Sequence, residues 1–438
     1  MHDSEVNKMT LSLEYFHDKY HSLNGTNDIW VAYSGGVDSR VLLELCYKYI
    51  NTVSNHKLQA IHINHGLHKD SDAWAIHCSE TCKALNIPLH VVPIKLDTTT
   101  GASIEELARQ ARRLIWKAFL PIHGTLLLAH HAQDQAETIL HRLFRGSGPT
   151  GLSGMTEHCK FGKGLLLRPL LKVAKADIDN FAATQKLVWV IDSSNKDSKF
   201  DRNFIRHAII PQLSKRWPAV VSNIIRSGEL CAETKTIIDF EIQPLMVNSA
   251  GIAKGTLSIK KLLALDSIKC FAVLRAWIEF HNCQMPSRSQ LYRIKSEVML
   301  AKIDATPKIQ FSQYIVRRYR DDLYLLPTPV PIIDQELFVV DLPCEHDIKL
   351  TCGSTLRLRK TIGQGFTLPA NIKEVTIVIG SKGQKAKKVF QQHSIPPWQR
   401  HNYPLVFIDG LLICIVGLWV RADFVAMSGQ PGYEINQV

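Results

Sequence analysis

The sequence predicts an α/β protein: a parallel-sheet domain first, then a helical middle domain and a small α+β domain at the C-terminal end. Three observations carry that expectation. In the first half, apolar runs of strand length alternate with amphipathic stretches of helix length, the pattern of a parallel sheet covered on both faces. One strand-to-helix junction there holds two adjacent glycines, in "VAYSGGVDSRVLLEL". The second half loses the alternation and becomes first helical, then rich in short β runs.

Taken in order, "DIWVAYS" reads as a strand, "DSRVLLELCYKYI" as a helix and "LQAIHINHG" as a second strand. A helix over "DAWAIHCSETCKALN", a strand at "LHVVPIKL" and a helix over "SIEELARQARRLIWKAFL" follow. The strand "GTLLLAHH" and the helix "DQAETILHRLFRG" complete the alternation. The first domain is expected to span residues 1–215, ending near "PQLSKRWP". A long helical stretch opens the second domain, 216–330, which ends in a short hairpin at "IVRRYRDDLYLL". The proline-rich "PTPVPI" reads as a linker to a third domain, 331–438, with β runs such as "TLRLRK", "EVTIVIG" and "LLICIVG".

Composition bounds the rest. The chain has 438 residues, 45% of them hydrophobic, enough for about two to four cores. A formal charge of +12 fits a polyanionic partner such as nucleic acid, and fits an ordinary basic protein equally well. Ten cysteines are too sparse for a disulfide scaffold and most lie in apolar runs, as at Cys46, Cys270 and Cys414, so reduced thiols in a cytosolic protein are expected. The N-terminal stretch lacks the apolar core of a signal peptide, and the longest apolar runs are too short to span a bilayer. The expected setting is the cytoplasm, with no membrane partner.

At the glycine junction, Gly35 and Gly36 allow a sharp turn and close backbone approach to a ligand. The helix expected from about Asp38 would aim free N–H groups and its positive dipole end into that turn, while Ser34 and Ser39 add hydroxyls. No lysine follows, so this is neither the G-x-x-x-x-G-K-[ST] loop nor G-x-G-x-x-G. Hydroxyls and amides without a lysine suit a pyrophosphate held with a metal, and Asp38 is placed to bind Mg²⁺. A tight serine-capped turn satisfies the same spacing.

The string "SGGVDS" between a strand and a helix resembles the pyrophosphate loop of the ATP-pyrophosphatase (N-type, PP-loop) superfamily, whose sheet domain is of the adenine nucleotide alpha hydrolase type. That resemblance makes Ser34, Gly35, Gly36, Val37, Asp38 and Ser39 the ATP site. Four further stretches narrow it. "AIHINHGLH" ends a strand with His62, Asn64 and His65 at its C-terminal edge, where ligands of open α/β sheets bind. "SIEELARQARRLIW" places Glu105, Arg109 and Arg112 within two turns, although a surface salt bridge explains the first pair equally well. "AHHAQDQAETILHRLFRGSGPTGLSGM" carries His131, Asp134 and Glu137 before a glycine-rich basic loop, and "DSSNKDSKFDRNFIRHAIIPQL" sets Arg202, Asn203 and Arg206 along one face.

Together with "RPLL" at 168–171 and "KKVFQQHSIPPWQRHNYPLVFIDGLLICIVGLWV" at 387–420, these resemble the tRNA(Ile)-lysidine synthase family over most of the chain. The resemblance implies ligation of free L-lysine to carbon 2 of the wobble cytidine in a CAU anticodon, through an adenylated cytidine, with AMP and pyrophosphate as products. It implies ATP and Mg²⁺ as cofactors, tRNA(Ile) and L-lysine as partners, and a homodimer. Asp38, Asp134, Arg109 and Arg112 become the candidate catalytic residues, Asp38 and Asp134 the metal ligands, and His62 and Arg202 further nucleotide contacts. Glu137 is a weaker candidate for the amine, and His131 a supporting residue. Three positions depart from the family pattern: Gln133 where a first acid usually stands, Asn64 where an acid is usual, and Arg113 where an aromatic is usual. Asp134 then inherits most of the acidic role.

Between residues 351 and 400 there are nine Lys/Arg and one acid, Glu374. Lys385, Lys387 and Lys388 in that stripe, together with Arg317, Arg318 and Arg206, are the expected tRNA contacts. A solvated basic face is the plain alternative for each cluster. A tRNA cytidine thiolase of the same superfamily is the nearest rival, against which stands the absence of any C-x-x-C pair. A non-catalytic RNA-binding relative is the rival from another class.

Overall fold

The computed structural model describes residues 11–22, 26–53, 55–66, 68–94, 104–191, 201–302, 305, 307–328, 336–341, 346–349, 355–369, 372, 374–379 and 386–437. Its contacts divide the chain into two compact units, Met1–Ile238 and Asp239–Val438.

The first unit runs α1 (Leu13–Ser22), β1 (Asp28–Ala32), α2 (Val37–Ile50), β2 (Lys57–Asn64), α3 (Ser71–Ala84), β3 (Leu89–Pro93), α4 (Ile104–Phe119), β4 (Thr125–Leu127) and α5 (Ala132–Phe144). A short turn α6 (Pro149–Leu152), the hairpin β5 (His158–Phe161) and β6 (Gly164–Leu167), α7 (Lys175–Thr184), α8 (Asp201–Phe204) and α9 (Ile210–Arg216) follow. The long helix α10 (Val220–Asn248) crosses from this unit into the next.

The six strands form one sheet in the order β3-β2-β1-β4-β6-β5, parallel except for the edge strand β5. From β1 the chain moves outward to β2, whereas β4 lies on the opposite side of β1. That reversal opens a crevice at the C-terminal ends of β1 and β4, where open α/β sheets bind ligands. Each strand is short and apolar because both its faces are covered. One face buries Val31, Leu42, Leu45, Cys46 and Tyr49 with Phe16 and Tyr20 of α1. The other buries Trp30, Ile61, Leu126, Phe161 and Leu166 beneath α4. A fully buried side chain of this size contributes about 1.5–3 kcal/mol relative to exposure, so the two layers fix the strand ends firmly.

The second unit contains β7 (Leu257–Ser258), α11 (Ile259–Leu263), α12 (Ser267–Phe280), α13 (Arg288–Arg293), β8 (Lys308–Phe311), β9 (Tyr314–Tyr319) and β10 (Asp322–Pro327). The expected hairpin is β9–β10, and it belongs to a four-stranded sheet, β7-β10-β9-β8, that the helical reading of this region did not anticipate. Strands of two to six residues interrupted by charge carry too little alternation to be seen. The chain continues with β11 (Glu336–Asp341), β12 (His346–Lys349), β13 (Thr355–Ile362), β14 (Glu374–Ile379), α14 (Lys387–Gln392), β15 (Leu405–Ile408), β16 (Leu411–Ile415), β17 (Trp419–Val420) and β18 (Pro431–Gln437). These make a five-stranded sheet, β11-β14-β15-β16-β17, and a three-stranded one, β12-β13-β18.

The expected break at 215 and the observed division at 238 differ for a physical reason. The N-terminal half of α10 packs Val221, Ile224 and Ile225 against Ala136, Leu140, Ile205 and Ile210, whereas its C-terminal half contributes Ile242 and Leu245 to a separate core. Among the described residues no helix is long and apolar enough to cross a membrane, and the described cysteines are all free thiols.

Candidate active site

The glycine junction forms the turn its sequence requires. Gly35 has φ +88°, and a Cβ there would lie 2.8 Å from Val190 Cγ2 and 3.0 Å from Cys78 Sγ, so only glycine fits. The Gly35 carbonyl accepts from the Val190 N–H at 3.0 Å. Ser34 and Ser39 close the loop on itself: their hydroxyls are 3.0 Å apart, the Ser34 N–H donates to Ser39 Oγ at 3.2 Å, and Ser39 Oγ donates to the Gly36 carbonyl at 2.9 Å. α2 begins at Val37, which puts Asp38 in its first turn at the mouth of the crevice. His62 lies beneath the loop, buried, with Nδ1–H donating to the Tyr33 carbonyl at 2.9 Å. Burial, opposed by that hydrogen bond, holds the ring below the ordinary histidine range. Through that bond His62 supports the backbone that leads into the loop.

Asp38 does not stand alone. Lys175, the first residue of α7, donates to Asp38 Oδ1 at 2.6 Å and pairs with Asp179 at 3.0 Å. The other oxygen, Asp38 Oδ2, lies 3.8 Å from His131 Nε2, and the same nitrogen lies 3.4 Å from Asp134 Oδ2. One imidazole thus stands between the acid after β1 and the acid after β4. Asp134 also accepts from the His131 backbone N–H at 3.0 Å, closing the first turn of α5. Burial would raise the Asp134 carboxyl, but the charges of His131 and His130, that backbone bond and Arg206 bring it below the usual carboxylate range.

Glu137 is one turn further along α5 and 1% exposed. Arg206 reaches across to it, with Nε donating to Oε1 at 2.6 Å and Nη2 to Oε2 at 2.8 Å, while Nη2 also meets Asp134 Oδ1 at 2.8 Å. Burial outweighs this fork and leaves the Glu137 carboxyl raised. Arg206, expected on the RNA, is therefore an internal partner of the two acids. It lies in a π-helical segment, Ile205–Ile209, a wider turn of the kind that recurs at functional sites. Arg202, one turn earlier, is 3.4 Å from Thr138 Oγ1 of α5.

Further basic side chains lie beside these acids. His130 is held neutral, near 4, chiefly by burial, with Arg168 and Arg202 opposing its charge and Asp134 favouring it. Arg168 Nε donates to its Nδ1 at 3.2 Å, which leaves the ring proton on Nε2. The guanidinium of Arg142 is depressed by burial and by the charges of Arg202 and Arg109, so these three arginines share one field. Arg109 itself pairs with Glu106, Nε to Oε2 at 2.9 Å, not with Glu105, whose side chain lies outside the described residues. Arg112 is half-buried on the same helix. Arg113 stacks on Phe161 with its guanidinium 5.1 Å from the ring, so a cation takes the packing place of the expected aromatic. Asn64 bridges to Asp72 at 2.8 Å and accepts from the Gly66 N–H. The glycine-rich loop after α5 is pinned by Arg142, which donates to the Gly151 and Gly154 carbonyls at 2.8 Å, and by a two-way hydrogen bond between Gln135 and Met155.

In the second unit, Arg318 spends its guanidinium on the carbonyls of Met299, Ala301 and Arg320, so it is a structural residue there. Arg317 lies over Trp398 at 5.3 Å. Lys387 and Lys388 face solvent at the start of α14, and Lys385 lies outside the described residues.

Sequence reasoning did not find Lys175, Arg168 with His130, or the Gln135 and Arg142 anchors. The usable signal for Lys175 was its place shortly after β6: that strand is parallel to β4, so the chain leaving it emerges at the same sheet edge as Asp38.

A family profile described as a PP-loop domain matches residues 7–213. Profiles described as a TilS substrate binding domain and a TilS substrate C-terminal domain match 257–324 and 371–437. The chain is 36% identical to a tRNA(Ile)-lysidine synthase of Vibrio cholerae over 414 residues, covering 92% of each chain. It is 37% identical to one from Vibrio vulnificus, covering 91% of this chain and 93% of that one, and 36% identical to one from Pectobacterium atrosepticum, covering 94% of both. Among solved structures, a U34-tRNA thiolase from Methanococcus maripaludis is 20% identical, with a TM-score of 0.43, covering 50% of this chain and 78% of that one. A PP-loop domain followed by both substrate domains, in one chain matched over more than nine-tenths of its length by these relatives, places the protein in the tRNA(Ile)-lysidine synthase family.

Proposed function

We propose that this chain joins free L-lysine to carbon 2 of the wobble cytidine in the CAU anticodon of tRNA(Ile), consuming ATP and releasing AMP and pyrophosphate. One observation carries the reading at the site: an anion-binding turn at Ser34–Ser39 and three carboxylates, Asp38, Asp134 and Glu137, meet at the switch point of a parallel sheet.

The chemistry needs both parts. A cytosine carbonyl oxygen is a poor leaving group, so it first attacks the α-phosphorus of ATP. The bond between the α- and β-phosphates breaks, and pyrophosphate departs with the electron pair into the turn. The oxygen donors of Asp38 and Asp134 suit Mg²⁺, which binds through one or two carboxylates together with phosphate oxygens, and Lys175 already stands in as a cation on Asp38. Bound there, the ion would screen charge on the separating phosphates. In the second step the ε-amine of lysine attacks carbon 2 and AMP leaves with the oxygen. That amine has a free pKa of about 10.4 and must lose its proton before it attacks. Asp134 and Glu137 are the groups placed to receive the ammonium and orient it. The arginine field of Arg109, Arg142 and Arg202 suits the AMP phosphate and the anticodon backbone. Arg112 shares the Arg109 helix face and the same assignment.

The three-part division at 215 and 330 carries into this reading as catalytic, middle and tRNA-binding domains. The same reading gives a cytoplasmic homodimer, which sedimentation of the purified chain tests. The decisive assay supplies ATP, Mg²⁺, labelled lysine and a tRNA(Ile) transcript with a CAU anticodon. Lysine incorporation at the wobble cytidine supports the assignment. Sulfur incorporation in a parallel reaction, or RNA binding with no incorporation at all, overturns it.

A further inference from the structure

The turn at Ser34–Ser39 has no lysine of its own, yet an ammonium stands beside it. Lys175 Nζ is 2.6 Å from Asp38 Oδ1 and 3.0 Å from Asp179 Oδ1, with the side chain 30% exposed. It is separated from Asp38 by 137 residues and arrives by way of the strand β6, at the same sheet edge. Two other cations at the crevice, among the described residues, are already committed: Arg206 forks onto Glu137 and Asp134, and Arg168 onto His130 and the Thr156 carbonyl. An ammonium has three N–H donors, and two carboxylate partners leave one for a further oxyanion. We propose that Lys175 is a catalytic residue that binds the pyrophosphate leaving group, doing from α7 what the absent loop lysine would do.

The inference rests on the adenylation reading above. While the α–β phosphoanhydride bond breaks, the departing pyrophosphate gains negative charge, and an ammonium beside the turn stabilises that charge more than it stabilises bound ATP. Lysine suits this role because it acts as a compact point charge on a flexible stem and can turn from carboxylate to phosphate without leaving the crevice. A divalent cation held by Asp38 would take over as that carboxylate's partner and would leave Lys175 free to turn toward the phosphates.

Isothermal titration of the full chain with sodium pyrophosphate, in the presence of MgCl₂, tests this without turnover. Lys175→Met is expected to weaken pyrophosphate binding about 10- to 150-fold, the loss of one hydrogen bond to a charged group. AMP binding, measured in the same way, should stay within about twofold, and Lys175→Arg should recover most of the lost affinity. If the Met variant does not melt cooperatively, Lys175→Gln, which keeps a polar partner for Asp38, takes its place. Pyrophosphate affinity unchanged in the Met or Gln variant overturns the proposal and leaves Lys175 as a tether for Asp38. Equal losses for pyrophosphate and AMP overturn it too, since they report a collapsed site. A wild-type chain that binds neither ligand would instead overturn the adenylation reading itself.

Discussion

Replacing Arg206 with methionine removes three hydrogen bonds at once and leaves Glu137, 1% exposed, without the fork that satisfies it. Removing one partner of a buried ion pair costs about 3–5 kcal/mol, because the surviving charge is stranded rather than because the pair itself was worth that much. For a unit of this size, each kcal/mol shifts the melting temperature by about 2–4 °C, so Arg206→Met should melt roughly 6–20 °C lower at pH 8. The pH dependence has a definite sign. Glu137 is raised in the folded state by burial and lowered again by Arg206, so removing Arg206 raises it further. A raised carboxyl favours folding below its unfolded pKa and loses that advantage as pH climbs through the folded value. The deficit of the variant should therefore be small near pH 4 and grow toward pH 8. Circular dichroism melts of wild type, Arg206→Met and Arg206→Met/Glu137→Met across that range provide the test. The double variant carries no stranded Glu137 and should recover most of the loss. A double variant as unstable as the single one, or a deficit that does not change with pH, refutes the stranded-carboxylate account and makes the loss one of packing.

Asp134→Asn should abolish lysine incorporation while tRNA affinity, measured by filter binding, stays within a few-fold; a large loss of binding contradicts its role beside the amine. Gly35→Ala forces a Cβ against Val190 and Cys78 at φ +88°, so it should cost about 1–3 kcal/mol in unfolding free energy and remove pyrophosphate binding. A variant that still binds pyrophosphate normally would show that the turn is not the phosphate site. The triple Lys385/Lys387/Lys388→Ala should weaken tRNA binding and flatten its salt dependence by about two to three counterions, and an unchanged slope returns that cluster to a solvated basic face.

The parallel sheet, the glycine turn and the acids of α5 were legible because each rests on local pattern. Strand-length apolar runs, φ-permissive Gly35 and the Asp134–Glu137 spacing are properties of a few consecutive residues. The partners of those acids were not legible, since Lys175 and Arg206 reach Asp38, Asp134 and Glu137 only through the folded sheet. Arg206 was read as an RNA contact because an arginine on a polar helix face looks the same from sequence whether it meets solvent or a buried carboxylate. The β5–β6 hairpin was missed for a related reason. Its strands are four residues each, and "HCKFGKGLLL" shows no alternation over most of its length. Missing β6 hid the route by which Lys175 returns to the crevice.

Three carboxylates at one sheet edge repel one another, and a ligand-free site must offset that repulsion internally. Here each acid has its own cationic or hydrogen-bonding partner: Lys175 for Asp38, His131 for Asp38 and Asp134 together, and Arg206 for Asp134 and Glu137. Isolated charges buried without partners would cost several kcal/mol each, so these contacts are what allow the acids to be assembled before any ligand arrives. Under the proposed function the incoming groups are also cations, a divalent ion and an ammonium. Binding then exchanges one positive partner for another at each carboxylate and avoids creating new buried charge. The cation displaced from Asp38 in that exchange, Lys175, is left beside the triphosphate, where the reaction places its negative charge. A carboxylate cluster that released no cation on ligand binding would have to recruit that compensation from solvent, at a site whose chemistry depends on excluding water.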